Sequence, residues 1–221
     1  MLYWILFGVV TIVSLLISGA LEEKFKKYSQ VPLPLTGKEV AEKMLREHGI
    51  YDVQVTNVNG HLTDHYNPAT KTVNLSDGVF YSASVAAAAI AAHECGHAVQ
   101  HAVEYAPLKM RSALVPVVNF SNQWMMWVII IGMMVFEIFP HLLWIGIGLY
   151  AMTTLFAFVT LPVEVDASRR AIAWLNETGL TNKETSEMAS EALRTAAYTY
   201  VVAALSSLAY LVYLILGTRR D

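Results

Sequence analysis

The sequence predicts a mainly α-helical, polytopic membrane protein with about four transmembrane helices and a small α+β region on the cytoplasmic side. Three observations predict it. Of the 221 residues, 55% are hydrophobic and only 15% charged, and the mean hydropathy is +0.44, too apolar for an ordinary soluble domain. Apolar runs near the length needed to cross a bilayer recur at 2–21, 117–139, 142–161 and 196–216. Between them, residues 22–81 carry the polar, alternating patterns of a region folded in water. The net charge of −3 gives no argument for a nucleic-acid partner. The single cysteine, Cys95, excludes an intramolecular disulfide and any multi-cysteine metal site.

Residues 1–21 form the first expected span, since Leu2 to Leu21 is apolar and uncharged. The stretch lacks the positive n-region and the cleavage site of a signal peptide, and so reads as a retained helix. Lys24, Lys26 and Lys27 follow it, which places residues from 22 onward in the cytoplasm and the N-terminus outside. Residues 22–112 then form a cytoplasmic region. Thr36-Gly-Lys-Glu39 reads as a capping box opening a helix with Val40, Ala41, Met44 and Leu45 on one face, ended by Gly49. Tyr51 to Val58 alternates like a strand, Asn59-Gly60 and Asn67-Pro68-Ala69-Thr70 read as turns, and Lys71 to Leu75 is again strand-like. An exposed edge of this small sheet could take an extended peptide as an added strand. His61 and His65 have an i,i+4 spacing but lie among turn residues, and read as surface or structural histidines rather than a second metal pair. The Ala-rich run from Ser84 to Glu104 is helical, with Ser84 as its N-cap.

Pro107 is expected to end or kink that helix. Residues 113–161 form a transmembrane hairpin broken at Pro140-His141, with Glu137 close to its tip and reaching outer water. Residues 162–182 return as a cytoplasmic helix. Pro162 suits its first turn, Glu164 and Asp166 favour its positive end, and Gly179 closes it. Thr181-Asn-Lys-Glu184 reads as a second capping box, and residues 183–221 form a helix continuing into the fourth span. Four crossings put both termini outside. Arg219 and Arg220 then stand on the side disfavoured for basic residues, and the basic groups at 24–27, 109–111 and 169–170 outweigh them.

The chemistry centres on His93-Glu94-Cys95-Gly96-His97. Four residues apart on a helix, His93 and His97 face the same way and can hold one zinc ion, with Glu94 placed to act as general base on a water. Gly96 weakens the helix by about 1 kcal/mol relative to Ala, which implies that another backbone or a substrate passes close by. Cys95 is turned away from the ligand face and reads as a small buried residue. A catalytic zinc needs a third protein ligand. Position 103, where an extended signature would carry a third histidine, is a valine, and helical drift swings His101 about 80° away from His93. Glu164, a carboxylate opening a second helix on the same side, is the better candidate. Otherwise it would be a cap charge or a partner of Arg169 or Arg170. Asp166 competes for the ligand role but points elsewhere on the helix, where it could orient a histidine from behind. Candidates to stabilise developing oxyanion charge are His101, Arg169 and Tyr198.

His61 to Pro68, the strand Lys71 to Ser76, Ala92 to His97 and Leu161-Pro-Val-Glu-Val-Asp-Ala-Ser-Arg-Arg170 together resemble the YugP-type neutral zinc metallopeptidases, which are bacterial integral membrane proteins. The resemblance covers most of the chain. A more distant similarity is to the HtpX and CAAX-prenyl membrane proteases, whose second motif is Glu-x-x-Ala-Asp with the Glu as third zinc ligand. That Glu falls on Glu164 and the Ala on Ala167, while the Asp position is Ser168, so its supporting role would pass to Asp166 or weaken. The resemblance implies a zincin-like α+β catalytic region and a zinc-dependent endopeptidase at the cytoplasmic face of a bacterial inner membrane.

The leading expectation is thus a membrane-embedded zinc endopeptidase with one Zn2+ per chain. His93, His97 and Glu164 are the ligands, and Glu94 is the base. Its partners would be a protein or peptide substrate, the lipid bilayer, and a homo-oligomer or regulatory membrane partner that restrains proteolysis. A zinc-stabilised scaffold without catalysis is the alternative, and it leaves Glu94 without a task. A metal transporter would need polar residues deep in several spans, and Glu137 is the only carboxylate in the hairpin.

Overall fold

The computed structural model describes residues 2–218, and Arg219 and Arg220 lie outside the described residues. The described chain is mainly helical: α1 (Leu2–Tyr28), α2 (Gly37–Glu47), β1 (Gln54–Val58), β2 (His65–Asn67), β3 (Thr72–Ser76), α3 (Asp77–Phe80), α4 (Val85–Ala102), α5 (Ala106–Met134), α6 (His141–Glu177) and α7 (Lys183–Gly217). Four of these helices, α1, α5, α6 and α7, are long and apolar enough to cross a membrane. The chain divides into two compact units. Among the described residues, one runs up to residue 14 and takes in 106–162 and the chain from 199 onward, and the other contains residues 15–105 and 163–198.

In the second unit the capping box at Thr36 forms as the sequence predicts. The Thr36 hydroxyl accepts from the Glu39 N–H, and the Glu39 carboxylate accepts from the Thr36 N–H at 2.8 Å. The buried face of α2 is Val40, Ala41, Met44 and Leu45, and Gly49 leaves the helix with φ +70. The sheet has the order β1-β3-β2. β3 runs parallel to β1 and antiparallel to β2, with Tyr66 opposite Val73. β2 is therefore an edge strand. At three residues it is too short to show an alternating pattern in the sequence. Central β3 buries Val73 and Leu75 against α4. Seven of the eight residues from Val85 to Ala92 on α4 are fully buried. Alanine supplies both helix propensity and thin walls, so α2, β3 and the later part of α6 close tightly around α4.

Three expectations about helix ends change. α4 stops at Ala102, where Glu104 takes a left-handed conformation (φ +55), and Pro107 sits in the first turn of α5. A proline there costs nothing, because the first-turn N–H has no helical partner. Pro162 does not open a new helix. It lies inside α6, so the second arm of the expected hairpin and the segment carrying Glu164 are one helix of 37 residues. An internal proline removes one backbone bond, a loss tolerated in long apolar helices. The cap of α7 also shifts by one residue. Asn182 and Thr185 exchange bonds between side chain and backbone, whereas Thr181 bonds to Asn176.

In the first unit, α5 and the early part of α6 form the expected hairpin. A Cβ on Gly132 would meet the backbone of Leu143 at 2.7 Å, so the glycine lets the two helices touch. Ile129, Leu143 and Ile147 form its small buried cluster. Glu137 is exposed in the connecting turn.

Candidate metal centre

His93 and His97 lie one turn apart on α4, with their rings nearly perpendicular and 4.8 Å between centroids. α6 brings Glu164 against them, and its packing explains Gly96. A Cβ at position 96 would meet the Ala167 carbonyl oxygen at 2.7 Å, so α6 could not approach this closely over any larger residue. The close neighbour implied by the glycine is thus another backbone. Cys95 faces the other way, fully buried, with its thiol 3.6 Å from the Ala41 carbonyl, and burial pushes its pKa well up.

The Nε2 atoms of His93 and His97 stand 3.3 and 3.6 Å from the same Glu164 oxygen, Oε2. His93, His97 and Glu164 form a group that could hold a metal ion. Four ligands about 2.05 Å from a tetrahedral zinc are roughly 3.3 Å apart, so these separations fit the edges of such a site. The donor set, two imidazoles and one carboxylate, also suits zinc.

The remaining ring nitrogens are held from behind. Gln100 is fully buried, and its Nε2 donates to the Val163 carbonyl at 2.8 Å and to Asp166 Oδ2 at 2.9 Å. With both amide hydrogens directed at acceptors, Gln100 Oε1 faces His97 Nδ1 at 3.1 Å. His97 therefore carries its proton on Nδ1 and turns the Nε2 lone pair towards Glu164 and any metal. Ser168 Oγ stands 3.1 Å from His93 Nδ1 and can accept from it in the same way. Burial alone would lower the His97 pKa. The bond to Glu164 and the charges of Glu94 and Glu164 outweigh it and raise the pKa above the ordinary imidazole value.

Glu94 is buried, and its Oε2 accepts from the backbone N–H of Tyr66 on edge strand β2 at 3.0 Å. Its other oxygen has no hydrogen bond among the described residues. Tyr66 is fastened to α4 a second time through its hydroxyl, 2.8 Å from His101 Nδ1. The carboxylate of Asp64 pins the neighbouring turn to the backbone N–H and hydroxyl of Ser76.

The other sequence candidates fall as follows. Asp166 is not in the metal group. It orients His97 only through Gln100, while Arg169 and Arg170 neutralise it at 2.9 and 2.6 Å. Those two arginines thus pair with Asp166. His101 is exposed and engaged by Tyr66. Tyr198 is 48% exposed and makes no hydrogen bond among the described residues. His61 packs edge-on against Phe25, and His65 Nδ1 is 2.8 Å from the Thr63 carbonyl, so the two have separate surroundings. Gln100, Ser168 and Tyr66 support the site without having been candidates, although each lies in a segment with a sequence signal: the helical run from Ser84 to Glu104, the segment Leu161 to Arg170 and the segment His61 to Pro68.

Comparison with known proteins gives two matches. The family described as "Putative neutral zinc metallopeptidase" matches residues 3–219. The chain is 39% identical over 189 residues to "Putative membrane protease YugP" of Bacillus subtilis, covering 85% of this chain and 83% of that protein. No solved structure matches.

Proposed function

Because the chain belongs to the neutral zinc metallopeptidase family, we propose that it is a membrane-embedded zinc endopeptidase, with one zinc held by His93, His97 and Glu164 and with Glu94 as general base. The observation that carries this reading is the convergence of both Nε2 atoms on one Glu164 oxygen at tetrahedral spacing, with both Nδ1 atoms already committed elsewhere. When bound, zinc would lower the pKa of a water and polarise the scissile carbonyl.

The chain's own groups do the rest. Glu94 takes the proton from the attacking water through its unengaged oxygen and returns it to the leaving amine. The Tyr66 N–H fixes one oxygen of that carboxylate. On an extended strand one residue's N–H and C=O face the same side, so the Tyr66 carbonyl lies on the open edge of β2. It would accept from a substrate amide, and the substrate would lie along β2 as an added strand. The active site faces the cytoplasm, on the reading that Lys24, Lys26 and Lys27 hold that end of the first apolar stretch inside.

Glu164→Ala tests the ligand set. The variant should purify with well under one zinc per chain and should fail to hydrolyse casein. A full complement of zinc in that variant would overturn the assignment.

A further inference from the structure

The buried side of α5 includes Val118, Ser121, Ile129 and Gly132, and around Ile129 and Gly132 it meets α6. About 130° round the helix lies a second row, Pro116, Asn119, Gln123, Met126, Ile130 and Met133, and every member of it is exposed. Its spacing alternates between three and four residues, the repeat of a seam along which two helices pair. Most of the row suits lipid, but Asn119 and Gln123 do not. Neither amide has a hydrogen bond among the described residues, and neither has Asn122, exposed beside them. At 1.5 Å per residue, Gln123 stands about 18 Å past Arg111 and about 16 Å short of Met134, near the middle of a hydrocarbon layer about 30 Å thick. A carboxamide at that depth finds no water, and the stable state is one in which another polar group meets it.

We propose that this row is the interface between two copies of the chain, α5 against α5, with the Asn119 and Gln123 amides hydrogen-bonded across it. The inference rests on the reading that α5 crosses a membrane. Two copies inserted the same way are related by a two-fold axis along the membrane normal, so their α5 helices run parallel and equal residues meet at equal depth. Each amide then faces its own counterpart. A carboxamide both donates and accepts, so it is its own complement. An unrelated partner would have to carry matching groups at the same two depths, whereas a second copy supplies them by symmetry. Polar side chains at seam positions fix the register of pairing, and Met126, Ile130 and Met133 fill the rest of the contact by packing.

The test uses the full-length chain in membranes, in a Cys95→Ala background that leaves no other cysteine. Under oxidation with copper phenanthroline, Met126→Cys should give a disulfide-linked dimer of twice the chain mass. Trp124→Cys, exposed at nearly the same depth but about 160° round the helix from Met126, should not. Replacing both amides, Asn119→Leu with Gln123→Leu, makes α5 more apolar, so the helix still inserts. Association of these chains in vesicles, read by energy transfer between copies labelled at Glu137→Cys, should weaken about 10-fold or more, with zinc content unchanged. Cross-linking as strong at Trp124→Cys as at Met126→Cys would mean random collision and overturn the proposal. So would undiminished association in the double leucine variant, or adducts only with a chain of another mass. Release of the wild type from membranes by alkaline carbonate would overturn the membrane reading, and the proposal with it. A chain that stays in the membrane and gives no Met126→Cys dimer would overturn the interface alone.

Discussion

A methyl group on residue 96 would stand 2.7 Å from the Ala167 carbonyl oxygen, which makes Gly96 the hinge between sequence and site. On an exposed helix Gly→Ala gains about 1 kcal/mol, but overpacking of this kind costs about 1–3 kcal/mol. Gly96→Ala should therefore lower the melting temperature and weaken zinc binding together, because α6 carries Glu164 away with it. A thermal melt and a chelator titration on one sample measure both. Gln100→Ala separates the two effects. It removes the acceptor that fixes His97, and zinc affinity should fall about 10–100-fold. Proton competition has a definite sign here. His97 must be neutral to ligate, and its pKa in the metal-free protein is raised, so protons compete for Nε2 at higher pH than at a free imidazole. Zinc affinity should fall steadily as pH drops from about 7.5 to about 6, measured by competition with a chelator of known pH dependence. A flat profile across that range would contradict it.

At the scale of elements, the legible parts were those whose signals are local. Thr36 and Glu39 announce α2 within four residues, and Ser84 announces α4, where its hydroxyl accepts from the Ala87 N–H. At α7 the sequence offers Thr181-x-x-Glu184 as the cap, and only the folded chain shows that Thr181 is drawn to Asn176 while Asn182 and Thr185 close the helix end. Pro162 misled for a different reason. Its local preference is for a first turn, but Val163 and Ala167 just beyond it are fully buried, and this packing holds α6 as one helix through the proline. The convergence of His93, His97 and Glu164 into one group that could hold a metal ion was legible, because all three stand in recognisable motifs. Its supports were not, since Gln100 reaches 63 residues to Val163 and Ser168 reaches 75 back to His93. Edge strand β2 has a testable part in the site. Tyr66→Phe removes the hydroxyl clasp on His101 but keeps the N–H on Glu94, so activity should fall modestly, within about 10-fold. A loss as deep as that of a Glu94 variant would mean that the hydroxyl itself takes part in the reaction.

At the scale of the molecule, four apolar helices and one α+β unit must share a single chain, and α1, α6 and α7 contribute residues to both units. The proposed orientation can be read with single cysteines, because Cys95 is buried and alone. In a Cys95→Ala background, Glu137→Cys in the exposed hairpin turn should react with a membrane-impermeant maleimide on intact cells. Lys43→Cys on α2 should react only after permeabilisation. The reverse pattern would invert the topology. The central claim concerns chemistry, namely that Glu94, held by the Tyr66 N–H beside the His93–His97–Glu164 group, is the base of a zinc peptidase. The most direct measurement is casein hydrolysis by purified, zinc-loaded protein in detergent, wild type beside Glu94→Gln, with zinc content determined on the same samples. The wild type should cleave, and Glu94→Gln should bind equal zinc and be at least about 100-fold slower. Equal cleavage by both, at equal zinc, would contradict the account.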